Sequence, residues 1–288
     1  MNVWLAGARL RTLPAAVVPV ALGAAAAVGE PDSQWWRVPI ALLVSLALQV
    51  GVNYANDYSD GVRGTDDVRV GPMRLVASGA ASASAVRRAA MVAFGVAAIA
   101  GLTLAVATTW WLLVVGAAAL LAGWFYTGGP KPYGYLGLGE VFVFVFFGLV
   151  ATVGTTYVTA ERLTALSWTV GCIAGALACA LLVVNNLRDI PTDSVVGKRT
   201  LAVRLGDGRT RWFYTVLLGG TFVLVAVVAV AWRPWAALGL VGAAACVPAV
   251  RAIRAGARGR DLISVLGVTG RVQLVTGCLT AVGIALGG

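Results

Sequence analysis

Long apolar runs are the feature that most limits what this chain can fold into. Nine runs of about 20 residues carry almost no charge, and a helix of that length crosses roughly 30 Å of hydrocarbon. They cover residues 13–29, 38–56, 89–107, 109–126, 138–158, 165–185, 213–231, 235–250 and 264–286. Only 12% of the 288 residues are charged, against about a quarter in soluble domains. The pattern predicts an all-α polytopic membrane protein with nine transmembrane helices.

The distribution of basic residues predicts the orientation of the chain. The net charge is +10, and with the N-terminus inside, 18 of the 22 Lys and Arg residues fall in cytoplasmic segments. This asymmetry follows the positive-inside rule, so the basic charge indicates topology and not nucleic-acid binding. We expect a multi-pass cell-membrane protein with its N-terminus and active-site loops cytoplasmic and its C-terminus outside. Arg271 lies inside the last apolar run, where an arginine is a functional candidate.

The residue types present exclude several kinds of site. Histidine is absent, which excludes imidazole bases and histidine-bound zinc or haem. The four cysteines lie in apolar runs without C-x-x-C spacing, so we interpret them as small core residues. Acid–base chemistry is left to carboxylates, lysine, tyrosine or water.

Two short acidic clusters, at residues 53–67 and 185–199, follow the second and sixth apolar runs. In the first, Asn53, Asn56, Asp57 and Asp60 are spaced three and four apart, which places them on one helix face. Glycines then end the helix and leave Asp66 on a loop.

The second cluster has a similar spacing. Asn185, Asp189 and Asp193 are four apart, with Pro191 expected to kink or end the helix between the two carboxylates. The position of the clusters, four runs apart, suggests two four-helix pseudo-repeats plus one helix.

Crowded carboxylates at a membrane edge are costly unless a cation neutralises them. They could also be ordinary polar helix ends, but negative charge at a helix C-terminus opposes the helix dipole. A few carboxylates together with phosphate oxygens are the usual ligands of Mg²⁺. The clusters therefore predict a magnesium–diphosphate site.

A bound diphosphate also needs positive charge from the protein. Lys131 is the only charge in a loop of glycines and tyrosines that allows close approach, so it is expected to touch phosphate. The other candidates flank the acidic clusters, although each alone could be explained by topology. They are Arg63, Arg74, Arg188, Lys198 and Arg199.

Four blocks of this sequence resemble the UbiA superfamily of intramembrane aromatic prenyltransferases, most closely its 1,4-dihydroxy-2-naphthoate branch. The blocks are NDYSDGVRGTD (56–66), GPMRLVASG (71–79), YTGGPKPYGYLGLGE (126–140) and NNLRDIPTDSVVGKRTLAVRLG (185–206). With the nine-run pattern, the resemblance extends over essentially the whole chain.

The resemblance implies one domain, residues 1–288, built of nine helices around a central cavity, with both acidic motifs binding magnesium–diphosphate. It implies transfer of a polyprenyl group from polyprenyl diphosphate to 1,4-dihydroxy-2-naphthoate, with loss of carbon dioxide, in menaquinone synthesis. It also implies that Lys131 binds diphosphate. The metal ligands that it implies are Asn56, Asp57, Asp60, Asp66, Asp189 and Asp193.

The expected mechanism adds roles for particular side chains. Asp60 or Asp66 is a candidate to accept a hydroxyl proton, and with Lys131 it forms the predicted catalytic set. Aromatic faces can stabilise an allylic cation, although Tyr and Trp are also common at membrane interfaces. The candidates for contact with the aromatic or prenyl substrate are Asn53, Tyr58, Tyr126, Glu140 and Tyr157.

Three alternatives remain open from the residues. A transporter would need ionisable residues near the bilayer midplane, whereas almost all lie at one face here. A phosphotransferase acting on CDP-alcohols shares the D-x-x-D-G spacing of residues 57–61, but its further required motif is missing. A prenyltransferase for another aromatic acceptor fits as well, since no single residue defines the acceptor. Prenyl chain length and oligomeric state are not predicted.

Overall fold

The computed structural model describes residues 2–65 and 73–288, and the regular structure of these two segments is helical throughout. The helices are α1 (Val3–Ala8), α2 (Pro14–Ala26), α3 (Arg37–Val62), α4 (Ala83–Ala107), α5 (Trp111–Phe125), α6 (Gly139–Val143), α7 (Ala151–Ala160), α8 (Ala165–Val195), α9 (Leu201–Ala231), α10 (Val241–Arg254) and α11 (Asp261–Leu286). A π-helical segment, Phe144–Val150, joins α6 to α7 into one span, Gly139–Ala160.

The prediction of an all-α polytopic membrane protein is confirmed. Within the described residues, seven helices are long and apolar enough to cross a membrane. An eighth span results if Val3–Thr12 and Pro14–Ala26, which meet at a bend of 49°, count as one. Trp111–Phe125 is apolar but shorter, at 15 residues.

The helix that carries the second acidic cluster forms the centre of the bundle. In α8, 78% of the most apolar window is buried, which is more than in any other candidate span of the described chain. Small residues allow this close packing: a Cβ on Gly148 would lie 2.5 Å from the Cα of Gly175. The site residues at the end of α8 therefore stand on a rigid element.

The ends of the two motif helices differ in how well they were predicted. Helix α3 ends at Val62 and Gly64 has a φ of +71°, as the glycines indicated. Pro191 was expected to kink the helix or to end it. It does not end the helix, because α8 continues through Pro191 to Val195. Proline this close to the C-terminus interrupts only one hydrogen bond of the last turns.

Candidate active site

A cavity of about 1010 Å³ opens between α2, α3, α5, the Gly139–Ala160 span, α8 and α11. Along α3 its lining runs from Ala41 to Asp60, a distance of about 28 Å at 1.5 Å per residue. Most of this length is apolar, with Ser45, Gln49 and Thr155 along it, and the charged side chains gather with four asparagines at the end where α3 and α8 finish. They are Arg9, Arg11, Asn53, Asn56, Asp60, Arg74, Asn185, Asn186 and Lys198.

In the first acidic motif, one carboxylate lines the cavity and another accepts hydrogen bonds from backbone amides. Asp60 is buried and lines the cavity. Asp57 is fully buried, and its two oxygens accept hydrogen bonds from the amides of Leu75 (2.9 Å) and Val76 (3.0 Å). Asp57 is not among the residues that line the cavity. In this structure Asp57 fixes the segment after the first motif against the end of α3.

The two carboxylates of the second motif also have different roles. Arg188 donates to both oxygens of Asp189, from Nε at 2.7 Å and Nη2 at 2.8 Å, and both side chains are buried beside the cavity lining. The Asp193 carboxylate, by contrast, approaches a cavity residue: its Oδ1 lies 3.7 Å from Nζ of Lys198. The same ammonium lies 3.9 Å from Oδ2 of Asp60. Lys198 thus stands between one carboxylate from each motif.

Tyr135 holds the two motifs together. Its hydroxyl donates to Oδ1 of Asp60 at 2.8 Å, and its carbonyl accepts the amide of Arg199 at 3.1 Å. Its ring faces the ammonium of Lys198 at 5.2 Å and the guanidinium of Arg63 at 5.6 Å. Burial, and then the charge of Asp60, raise the pKa of Tyr135 well above the usual value for a tyrosine. The hydroxyl is therefore a permanent donor to Asp60 at neutral pH.

The two asparagines of the first motif make different contacts. Asn56 Oδ1 accepts a hydrogen bond from Thr127 at 2.8 Å, which ties the end of α3 to the end of α5. Asn53 donates to the carbonyl of Ala8 and to the hydroxyl of Thr12, at 2.9 and 3.0 Å. Asn53 lines the cavity but its amide is used to hold the N-terminal segment in place.

A column of aromatic rings forms one wall of the cavity. Tyr126 meets Tyr133 edge-on at 5.5 Å, Tyr133 stacks on Phe142 at 3.9 Å, and Phe142 is followed by Phe146 at 6.1 Å. All four line the cavity. Their faces and edges lie on the path from the polar end into the apolar part, where an allylic cation could be stabilised.

A buried carboxyl group lies behind another part of the wall. Glu140 Oε1 accepts a hydrogen bond from the Asn186 amide at 3.0 Å, and Asn186 lines the cavity. The other oxygen of Glu140 is buried without a hydrogen-bond partner among the residues that the structure describes. Glu140 therefore orients Asn186, which is the group that a substrate can touch.

Several predicted residues lie away from the cavity. Lys131 is exposed in its loop, and so is the Arg199 side chain. Arg63 is exposed and donates to the carbonyls of Thr127 and Gly129. Tyr58 stacks on Trp124, and Tyr157 lies toward the opposite end of its span. Asp66 falls outside the described residues, as does the rest of segment 66–72.

Sequence reasoning missed Tyr133, Tyr135, Phe142, Asn186 and Arg9 as site residues. The signal for two of them, Tyr133 and Tyr135, was present in the block at residues 126–140, from which only Tyr126, Lys131 and Glu140 were taken as candidates. Arg9 had no such signal: it reaches the cavity because it adopts a left-handed conformation, with φ of +53°, between α1 and the next turn.

The residues at the polar end fit a hard divalent cation by their chemistry. Asp60, Asp193 and Asn56 offer oxygen donors, and a cationic ammonium already bridges the two carboxylates. No three acidic side chains in segments 2–65 and 73–288 lie close enough to form a complete metal site by themselves. Mg²⁺ commonly completes its shell with water and substrate phosphate.

Fold and site together define a membrane-embedded enzyme that handles an anionic head attached to a hydrocarbon chain. The sequence profile of the UbiA prenyltransferase family matches residues 16–267, and the chain belongs to that family.

Named relatives agree with this membership. The chain is 50% identical over 284 residues to 1,4-dihydroxy-2-naphthoate octaprenyltransferase of Mycobacterium tuberculosis, covering 99% of this chain and 97% of that one. It is 34% identical to the Escherichia coli protein of the same name, over 78% of this chain and 75% of that one. A UbiA homolog from Archaeoglobus fulgidus bound to GPP and Mg²⁺ shares the fold, with a TM-score of 0.69, 14% identity and coverage of 97% and 99%.

Proposed function

We propose that this protein transfers a polyprenyl group from polyprenyl diphosphate to 1,4-dihydroxy-2-naphthoate, with loss of carbon dioxide, in menaquinone biosynthesis. Identity of 50% along nearly the full length of a relative with that name supports the choice of acceptor. The observation that carries the chemistry is the meeting of Asp60, Asp193 and Lys198 at the end of a long apolar cavity.

The residues proposed to hold Mg²⁺ are Asn56, Asp60 and Asp193, together with Asp66, which lies outside the described residues. When bound, the ion would neutralise the diphosphate and favour its departure. Asp57 and Asp189 act through other groups, the first by fixing the backbone at residues 75–76 and the second by holding Arg188. Lys198 and Arg74, which line the cavity, are the proposed direct cationic contacts of the diphosphate.

Reaction begins when the bond between the allylic carbon and the diphosphate oxygen breaks. The electron pair leaves with the diphosphate, where Lys198 and Arg74 stabilise the developing charge. The cationic carbon faces the aromatic column of Tyr126, Tyr133, Phe142 and Phe146. The tail extends into the apolar length of the cavity, which reaches Ala41.

The acceptor is proposed to lie against Asn185 and Asn186, with Glu140 holding Asn186 in orientation. The naphthalene carbon that bears the carboxylate forms the new bond to the prenyl carbon. The bond to the carboxylate then breaks, carbon dioxide leaves, and its electron pair restores the aromatic ring. Asp60 or Asp66 remains the proposed acceptor of a hydroxyl proton. Lys131, Arg63 and Arg199 could reach the diphosphate only by moving from their exposed positions.

The topology is proposed to have nine crossings. Helix α5 is about 22 Å long, short for a bilayer, yet it follows the far end of α4 and leads to Thr127, which contacts Asn56 at the site end. We propose a single domain of two four-helix units plus α11, with the site end and N-terminus cytoplasmic and the C-terminus outside, as the basic residues favour.

Reconstituted protein supplied with a polyprenyl diphosphate, dihydroxynaphthoate and Mg²⁺ tests this function. The expected product, identified by mass spectrometry, is the decarboxylated prenyl naphthoquinol, and chelation of magnesium should abolish it. Equal or faster prenylation of 4-hydroxybenzoate would identify a different acceptor class. Full activity in the presence of a chelator would contradict the metal–diphosphate site.

A further inference from the structure

A second basic groove lies outside the cavity, between the turn that precedes α2 and the first half of α11. It measures about 550 Å³, and three arginines line it: Arg11, Arg260 and Arg271. Helical spacing explains the grouping, because Arg260, Ser264 and Arg271 fall on one face of α11. Three positive charges around one groove favour the binding of an anion there.

The three groove arginines have no carboxylate partner, in contrast to three arginines that form close ion pairs elsewhere in the described chain. Arg188 pairs with Asp189, Arg37 with Glu161 and Arg211 with Asp207. No carboxylate of the described residues, Asp261 included, forms an ion pair with Arg11, Arg260 or Arg271. Their guanidinium groups are exposed and available to a phosphate, which they recognise well.

The depth of Arg271 argues against a purely topological role. It lies ten residues into α11, about 15 Å along the helix from Asp261. The positive-inside rule accounts for arginines at the membrane surface, such as Arg260, but gives no reason for one so far inside an apolar span.

The groove adjoins the cavity. Arg11, Ile263 and Gly267 line both, so the two spaces share part of one wall. Beyond Arg11, the positive charges of Arg9, Arg74 and Lys198 continue along the cavity to Asp60 and Asp193. A gradient of fixed positive charge of this kind attracts and guides an anionic ligand.

We propose that Arg11, Arg260 and Arg271 form a docking site for the diphosphate of a membrane-borne prenyl donor before it moves into the cavity. This inference rests on the proposed function, which supplies a donor with a diphosphate head and a hydrocarbon tail. The same phosphate chemistry is offered by an anionic phospholipid, which the experiment below separates from the donor.

The test uses Arg260→Gln, Arg271→Gln and the double variant in nanodiscs of neutral phosphatidylcholine. For a long-chain polyprenyl diphosphate, kcat/KM should fall about tenfold in the double variant, within the range that electrostatic steering produces. The kcat at saturation, the KM for the aromatic acceptor and the KM for water-soluble dimethylallyl diphosphate should not change. Arg254→Gln, which removes an exposed charge at the end of α10 outside the groove, should behave as the parent protein.

A second arm adds about one third phosphatidylglycerol to the nanodiscs. If the groove binds phospholipid, phosphatidylglycerol will change the kcat/KM of the parent protein but not that of the double variant, and the two proteins will have the same donor kinetics in neutral lipid. That result overturns the proposal. Unchanged kinetics in both lipids also overturn it.

Binding is measured separately from transfer. The association rate of the long-chain donor with immobilised nanodiscs, without acceptor, should fall about tenfold in the double variant and become less sensitive to salt. Absence of transfer by the parent protein would contradict the proposed function, whereas this association rate would still decide the docking site.

Discussion

In both acidic motifs, one carboxylate makes a supporting contact and the other lies near Lys198, but the supporting carboxylates have different partners. In each, the residue nearer the N-terminus is buried in a supporting contact, and the carboxylate one turn later lies within 4 Å of the Lys198 ammonium. Asp57 accepts two backbone amides, whereas Asp189 accepts two guanidinium donors of the adjacent Arg188. Asp60 and Asp193 then meet at Lys198.

The difference concerns what each supporting carboxylate stabilises. Asp57 joins α3 to a separate stretch of chain, so it fixes the course of the segment after the first motif. Asp189 and Arg188 belong to the same helix turn, so their pairing mainly keeps two charges compatible with the buried centre of the bundle. We infer that the first motif positions a loop and the second maintains a charged helix end.

The largest expected effect is on the buried pair of the second motif. Replacing Asp189 by Ala leaves Arg188 buried without its bidentate partner, which typically costs about 3–5 kcal/mol. The free energy of unfolding, measured by denaturant titration in mixed micelles, should fall by that amount. In the double variant Arg188→Leu with Asp189→Leu, most of the loss should be recovered. A double variant as unstable as Asp189→Ala would show that the pair has a role beyond charge compensation.

The site-facing carboxylates should respond in activity rather than in stability. Asp60→Asn and Asp193→Asn each keep the side-chain shape but remove the charge proposed to hold Mg²⁺, so kcat should fall about 100- to 1000-fold. The thermal midpoint of Asp60→Asn should change little, since the amide oxygen of asparagine can still accept the hydrogen bond from Tyr135. Asp32→Asn, a substitution in the loop at the opposite end, serves as the matched control. Comparable activity in Asp60→Asn and the control would remove Asp60 from the site.

Much of this architecture is predictable from sequence because hydrophobic length and spacing act locally. The apolar runs predicted the all-helical membrane fold, with seven spans, or eight with the bent pair, in the described residues. The three- and four-residue spacing predicted that Asn53, Asn56 and Asp60 lie along one side of α3, and all three line the cavity. Which carboxylate of a pair enters the site depends on distant partners, such as the amides of residues 75–76, and local spacing does not encode them. Tyr135 shows the same limit, since its role arises only when its loop lies between Asp60 and Lys198.

A smaller effect is expected where the first motif fixes the backbone. Asp57→Asn retains one acceptor oxygen, so one of the buried amides of Leu75 and Val76 loses its partner, at a cost of about 1–3 kcal/mol. The thermal midpoint should fall, and activity measured per folded protein should fall less than in Asp60→Asn. If Asp57→Asn instead lost activity without losing stability, Asp57 would be a metal ligand and the division between supporting and site-facing residues would fail.

The smallest effect is expected at the contact that joins the motifs. Tyr135→Phe removes the hydrogen bond to Asp60. A hydrogen bond to a charged group contributes at least roughly 1.5 kcal/mol, so we expect about a tenfold loss of kcat. Because burial and Asp60 raise the pKa of Tyr135, its hydroxyl stays protonated until the pH exceeds the ordinary tyrosine range. The ratio of parent to variant activity should therefore stay constant from about pH 6 to about pH 9. Tyr58→Phe, at a ring stacked on Trp124 outside the cavity, should have no effect. A ratio that falls toward one at alkaline pH would mean that Tyr135 ionises in this range, and Tyr135 could then not act as the permanent donor between the two motifs.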